Sequence, residues 1–151
     1  MMSVATACLA LAVLTTLLHY EALRLLTAIL PRLRMASRAK LIVVILGTFA
    51  AHALEIALYA GTTYLLVRGL GAGTLGPASA PTWNTALYFS AETYTSLGYG
   101  DIVPTGPLRA VSGIEALNGL LLIGWTASYT YVAMQRFWDG GAAAMPDRTP
   151  S

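Results

Sequence analysis

The chain has 151 residues, of which 56% are apolar and only 11% are charged, and its mean hydropathy is +0.64. An ordinary soluble domain has about a quarter of its residues charged, so this composition excludes one and predicts an integral membrane protein in a lipid bilayer. The net charge of +2 is too small to indicate a nucleic-acid partner. The single cysteine, Cys8, excludes a disulfide within the chain.

The first predicted element is a membrane-spanning helix over residues 1–30. Three side chains that carry charge near neutral pH interrupt its apolar run: His19, Glu21 and Arg24. At about 1.5 Å per residue the run is about 40 Å long, enough to cross about 30 Å of hydrocarbon. No Lys or Arg precedes the run and no convincing cleavage site follows it, so we expect a retained helix and not a secretory signal.

A basic loop over residues 31–40 follows the first helix. Its four cationic side chains are Arg32, Arg34, Arg38 and Lys40. Because cytoplasmic loops are enriched in such residues, we expect this loop to face the cytoplasm and the amino terminus to face outside. The arginines do not recur at every third position of an apolar helix, so the segment is not typical of a voltage sensor.

The second predicted spanning helix covers residues 41–70, and a loop rich in glycine and proline follows it. Thr82 is a predicted N-cap for a helix over residues 83–95, which at about 20 Å is too short to cross the bilayer. We expect this short helix to be re-entrant. The non-helical backbone after it must then be buried by protein or line a wet cavity.

A polar motif follows the short helix, in which two glycines flank a tyrosine, with hydroxyl side chains before them and a carboxylate after them. Residues 90–101, Ser-Ala-Glu-Thr-Tyr-Thr-Ser-Leu-Gly-Tyr-Gly-Asp, resemble the pore-helix end and selectivity filter of the potassium channel family. The resemblance implies that K⁺ exchanges its water shell for backbone carbonyls of a filter over residues 96–101. The residues it implies as ligands are Ser96, Leu97, Gly98, Tyr99 and Gly100, with K⁺ bound at the first four.

Two residues depart from the family's usual Thr-Val-Gly-Tyr-Gly. Ser96 keeps the hydroxyl group of threonine without its methyl group, and Leu97 replaces valine. Neither change removes a backbone carbonyl, so we expect a K⁺-selective channel. A weakly selective monovalent cation channel remains the alternative.

The resemblance also implies the fold and the assembly. The resemblance covers roughly residues 41–137, and the type it resembles is the bacterial channel with two helices and a pore loop. The helix over residues 1–30 is an addition that the resemblance does not explain. We expect an all-α membrane protein with three transmembrane helices, a re-entrant pore helix and a filter in each subunit. Because the filter motif occurs once and a carbonyl-lined conduit needs four, we expect a homotetramer around a central pore in a bacterial plasma membrane. K⁺ is then the permeant ion, with no organic cofactor, no small-molecule substrate and no enzymatic activity.

The last predicted spanning helix covers residues 108–138 and completes a pore domain over residues 41–138. Residues 139–151 form a tail predicted to be disordered and cytoplasmic. Gly119 and Gly124 are candidate gating hinges, with close helix packing as the alternative. Glu115 lies near the outer end of this helix, where we expect it to hydrogen-bond the short helix.

Four residues near the motif are expected to support the filter. The resemblance places Glu92 and Asp101 behind it as a pair that shares one proton, since two close buried carboxylates rarely both ionise. The alternative is a solvated Asp101 and a Glu92 bonded to backbone. Tyr88 and Phe89 match the aromatic positions that brace the filter tyrosine, while a lipid- or core-facing role for both is the alternative.

The first two helices carry a candidate intramembrane polar cluster, His19, Glu21, His52 and Glu55. Both histidines are twelve residues from the basic loop, so both lie about 18 Å into the bilayer. We expect a histidine to pair with a glutamate across the two helices, and His52 with Glu21 is the pair chosen to test this. The i, i+3 spacing of His52 and Glu55 also fits two metal ligands, so an intramembrane metal-dependent enzyme or transporter is the alternative from another class.

Overall fold

A computed structural model describes residues 2–76 and 81–142, and side chains within 4–76 and 81–136. These residues form four α-helices: α1 (Met2–Ile29), α2 (Ser37–Leu70), α3 (Trp83–Tyr94) and α4 (Leu108–Ala142). A 3-10 turn over Leu30–Arg32 follows α1. The described residues contain no β-strand beyond one isolated bridge between Leu75 and Pro104. Helices α1, α2 and α4 are each long and apolar enough to cross a membrane.

Helix α2 begins at Ser37, four residues before the expected start at residue 41. The residue before it, Ala36, has extended backbone and makes no side-chain cap. The expected boundary came from hydropathy, which marks where hydrocarbon begins. Arginine and lysine are good helix formers, so the helix continues through Arg38 and Lys40 into the basic segment.

Helix α3 has the start that its sequence predicts. The Oγ1 atom of Thr82 accepts a hydrogen bond from the backbone N–H of Thr85 at 3.1 Å, which confirms the predicted N-cap. The helix has 12 residues, so it is about 18 Å long and does not span a bilayer by itself.

The helices pack so that α1 contacts α2 and α4, while α3 lies against α2 and α4. The start of α1 packs with the end of α2 and the start of α4 in one cluster, and their opposite ends pack in another, with a third cluster around Leu11, Tyr59 and Tyr94. Cys8 is buried in the first cluster. Helices α1 and α4 therefore run in the same direction and α2 runs against them.

Helix α4 approaches the end of α3 at backbone distance. A Cβ atom built on Gly119 would lie 2.1 Å from the carbonyl oxygen of Tyr94, so only glycine fits there. Helix α4 continues to Ala142, past the expected end at residue 138. Of the tail predicted over 139–151, residues 143–151 lie outside the described residues.

Candidate functional site

The loop after α3 begins where backbone hydrogen bonds close the helix. The N–H of Ser96 donates to the carbonyl of Thr93 at 3.0 Å, and the N–H of Leu97 donates to the carbonyl of Glu92 at 2.9 Å. These bonds use carbonyls of the last helical turn that have no partner within the helix. The loop therefore leaves α3 from a fixed position.

The backbone of this loop is left-handed at every second residue. The φ angles are +57° at Ser96, +56° at Gly98 and +80° at Gly100. Glycine adopts such angles without steric cost, whereas serine does so at a cost of about 1–2 kcal/mol. The left-handed conformation at Ser96 accompanies the two backbone hydrogen bonds that close α3, and glycine occupies the next two left-handed positions.

The loop is uncovered on the single chain. Tyr99 is 70% exposed and Leu97 is 59% exposed. A Cβ atom on Gly98 or Gly100 would meet no described atom within 4 Å. Other large apolar side chains are also exposed, on helices apolar enough to face lipid, whereas Leu97 and Tyr99 lie on a loop that no described residue covers.

The expected pair of Glu92 and Asp101 is not formed by a direct hydrogen bond among the described residues. Instead, the Tyr88 hydroxyl donates to Asp101 Oδ2 at 3.1 Å, while Glu92 is 5% exposed and its Oε1 has no hydrogen-bond partner within the described chain. Interaction with Glu92, followed by burial and the bond to Asp101, raises the pKa of the Tyr88 hydroxyl. The hydroxyl therefore stays protonated and donates.

The two expected bracing aromatics have different environments. Tyr88 is half-exposed and bonded to Asp101, next to the loop. Phe89 is 4% exposed and lies in the core cluster that includes Leu108 and Val111. Its position agrees with the core-facing alternative, since side chains at adjacent helical positions point in different directions.

Two buried polar side chains of α4, Glu115 and Asn118, bond to the other helices. Ser90 Oγ donates to Glu115 Oε1, as expected for a glutamate that bonds the short helix. One turn later, the Asn118 amide donates to Thr15 Oγ1 at 2.6 Å and to the Tyr59 hydroxyl at 3.1 Å. Asn118 thereby connects α4 with both α1 and α2.

The two histidines and Glu55 meet in one buried group, which we call the His–Glu cluster (His19, His52 and Glu55). The His19 Nδ1 lies 3.0 Å from Glu55 Oε1, and the His52 Nδ1 lies 3.0 Å from Glu55 Oε2. The side chains of His19 and Glu55 are fully buried, and that of His52 is 17% exposed. The histidine–glutamate contact between α1 and α2 is therefore the one that His19 makes with Glu55.

The predicted pairing of a histidine with a glutamate across α1 and α2 is present as His19 with Glu55, whereas the pair chosen to test it, His52 with Glu21, is not formed. Glu21 lies on the exposed face of α1 and pairs with Arg24 at 3.2 Å, with 59% of its side chain exposed. Residues two apart on a helix do not share a face, so His19 and Glu21 point in different directions. His52 and Glu55 are three apart and do share one.

Two further residues, Tyr94 and Thr126, contact the cluster, and the sequence did not indicate their role. The Tyr94 hydroxyl donates to Glu55 Oε2 and lies 2.9 Å from His52 Nδ1. Thr126 Oγ1 lies 2.9 Å from His52 Nε2 and 3.2 Å from His19 Nε2. Tyrosine and threonine are ordinary residues of membrane helices, so their type and spacing do not indicate these contacts.

The two candidate hinge glycines also differ. Gly119 packs against the carbonyl of Tyr94, which accounts for glycine there by close packing. A Cβ atom on Gly124 would meet no described atom within 4 Å. Close packing therefore does not explain Gly124, and it remains a hinge candidate.

Comparison with known proteins gives one match. A family model described as an ion channel matches residues 39–136, well over half of the chain, which include most of α2, all of α3, the loop and most of α4. No curated protein and no solved structure matched the chain. Helix α1 lies outside the matched residues. The chain is an integral membrane protein that belongs to the ion channel family of potassium channel pore-loop proteins.

Proposed function

We propose that the protein is a potassium-selective channel in which the loop over residues 96–100 is the selectivity filter and α3 is the pore helix. The observation that carries the proposal is the left-handed backbone at Ser96, Gly98 and Gly100. Changing the sign of φ at alternate residues lets consecutive carbonyls turn toward one side of an extended loop. A row of such carbonyls is what replaces the water shell of K⁺.

Four copies of the chain would complete the site. One chain supplies one row of carbonyls, and an ion on an axis needs ligands from all sides. Closed rotational symmetry is the common way for identical chains to surround an axis. The exposure of Leu97 and Tyr99 on the single chain supports this assembly, because neighbouring subunits would cover both side chains.

Conduction in this proposal involves no covalent step. The Ser96 hydroxyl and the five carbonyls replace water molecules one layer at a time, and the ion leaves when the next ion enters. Glu92, Asp101 and Tyr88 act as support, since the bond from Tyr88 to Asp101 fixes the end of the loop to α3.

Flux through the purified protein in liposomes tests the ion selectivity. We expect K⁺ flux to exceed Na⁺ flux by about tenfold or more, which corresponds to a difference of about 1.4 kcal/mol between the two ions. Empty liposomes give the background flux, and liposomes with added valinomycin give the full K⁺ flux. Equal fluxes would favour the weakly selective cation channel, and absence of both fluxes would contradict the channel proposal.

Cysteine labelling tests the orientation that the basic loop predicts. In a Cys8→Ser background, we expect Ser79→Cys to react with an impermeant reagent added outside the cell and Ser37→Cys to stay unlabelled until the membrane is opened. Both variants exchange serine for cysteine, so reactivity differs by position alone. Residue 79 lies outside the described residues, whereas Ser37 begins α2. The opposite pattern would reverse the proposed topology.

A further inference from the structure

We propose that the His–Glu cluster is a binding site for a divalent transition-metal ion of the zinc type, which links α1 to the pore-loop unit. Two imidazole nitrogens and a carboxylate oxygen, from His19, His52 and Glu55, lie within 4.8 Å of one another. The metal site itself does not depend on the proposed channel function. An effect of the metal on K⁺ flux would depend on it.

The separations between each histidine nitrogen and the carboxylate can be compared with those of a four-coordinate site. Zinc holds nitrogen and carboxylate oxygen at about 2.0–2.1 Å, which places neighbouring ligand atoms about 3.3 Å apart. In the cluster, each histidine Nδ1 lies 3.0 Å from a Glu55 oxygen. The two Nδ1 atoms face different oxygens of Glu55, and the three ligand atoms lie within 4.8 Å of one another, so the side chains would close around the ion on binding.

The hydrogen bonds of Thr126 favour coordination through the two Nδ1 atoms. A neutral histidine that binds a metal through Nδ1 carries its proton on Nε2. Both Nε2 atoms face Thr126 Oγ1, at 2.9 and 3.2 Å, and a hydroxyl oxygen has two lone pairs that accept two such N–H groups. With metal bound, both contacts are satisfied.

With two neutral histidines and an ionised Glu55, the metal-free cluster carries one negative charge and does not satisfy the same contacts. If both Nδ1 atoms carry protons and donate to Glu55, both Nε2 atoms become acceptors. The single hydroxyl proton of Thr126 can then serve only one of them. An extra proton on the cluster is the competing occupant, because a doubly protonated histidine or a protonated Glu55 would also complete the bonds.

The carboxylate has the support that metal ligands usually receive. The Tyr94 hydroxyl donates to Glu55 Oε2, which fixes the carboxylate and leaves Oε1 to face His19. Groups in this position orient the ligands, and their loss typically lowers metal affinity about 10–100-fold. Through Tyr94 and Thr126 the site also contacts α3 and α4.

The donor atoms determine the class of ion. Imidazole nitrogen suits zinc and its first-row neighbours, whereas magnesium and calcium take oxygen ligands. The partly exposed His52 is the point of access on the single chain. We therefore expect the site to bind Zn²⁺ and Co²⁺ but not Mg²⁺.

The full-length protein in detergent, purified with a tag that lacks histidine and stripped with a chelator, provides the test. The chain contains two histidines, both in the cluster, so no other histidine contributes to binding. We expect one equivalent of Zn²⁺ or Co²⁺ per chain, a higher unfolding temperature with metal, and visible Co²⁺ bands of a low-coordinate nitrogen and oxygen site. Mg²⁺ at the same concentration should change none of these.

Variants assign the binding to the cluster. His19→Gln and Glu55→Gln should lose the Co²⁺ bands, and Thr126→Val should lower the affinity about 10–100-fold. Glu21→Gln is the matched control, since Glu21 is exposed two residues from His19 and should leave binding unchanged. If the first two variants do not fold, Thr126→Val and the wild-type Co²⁺ spectrum still decide the question.

Two results would overturn the proposal. The stripped wild-type protein could bind neither Zn²⁺ nor Co²⁺, in which case the cluster is a proton-sharing link between helices. Binding could also persist unchanged in folded His19→Gln and Thr126→Val proteins, which would place the metal elsewhere. K⁺ flux measured on the same samples separates the outcomes, because loss of flux with intact metal binding would contradict only the channel proposal.

Discussion

Gly98→Ala is expected to reduce K⁺ flux to the level of empty liposomes. The φ angle at Gly98 is +56°, a conformation that costs an L-residue with a side chain about 1–2 kcal/mol. In four copies the strain is on the order of 4–8 kcal/mol, enough to turn the backbone at residue 98 to negative φ. In the proposed tetramer, a carbonyl would then leave the proposed ion pathway in every subunit.

Gly113→Ala is the matched control for this variant. A Cβ atom on Gly113 meets no described atom within 4 Å, and the residue is helical, so its alanine variant should conduct like the wild type. Both proteins should elute at the same oligomeric size. Normal K⁺ flux through Gly98→Ala would mean that the backbone at residue 98 does not line the ion pathway.

Gly119→Ala is expected to lower the free energy of unfolding by about 1–3 kcal/mol through overpacking. The added Cβ atom would lie 2.1 Å from the carbonyl oxygen of Tyr94 and 2.9 Å from its carbonyl carbon, which are backbone atoms that cannot rotate away. Helix α3 or α4 must move to relieve the contact. Unfolding in a mild detergent with increasing denaturant measures the loss.

Gly124→Ala separates packing from hinge motion. No described atom lies within 4 Å of its Cβ position, and alanine is a better helix former than glycine by about 1 kcal/mol, so this variant should be as stable as the wild type or more so. Reduced K⁺ flux at unchanged stability would support a hinge at Gly124. A Gly119→Ala protein as stable as Gly124→Ala would contradict the close packing of α4 on α3.

The His–Glu cluster connects the helix that the family match leaves out with the helices that it includes. His19 belongs to α1, whereas His52, Glu55, Tyr94 and Thr126 lie within the matched residues. Tyr94 is also two residues before Ser96, where the proposed filter begins. A change in what the cluster binds would therefore act on the loop through one side chain, Tyr94.

The sequence by itself determined the features that depend on neighbours along the chain. Three long apolar runs indicated the spanning helices, and Thr82 at the start of a short run indicated the N-cap that the structure contains. The motif over residues 90–101 indicated the channel family, which the family match confirms. Hydropathy, capping and a contiguous motif are local properties, so one sequence suffices to recognise them.

Only the tertiary structure decided which side chains meet. Each residue turns a helix by about 100°, so two glutamates at the same depth can face opposite sides, and depth alone suggested Glu21 where rotation selects Glu55. The contact of Gly119 with Tyr94 likewise depends on how α4 lies against α3. Helix rotation and approach are set by packing among all the helices, because burying polar groups together and filling space are properties of the whole fold.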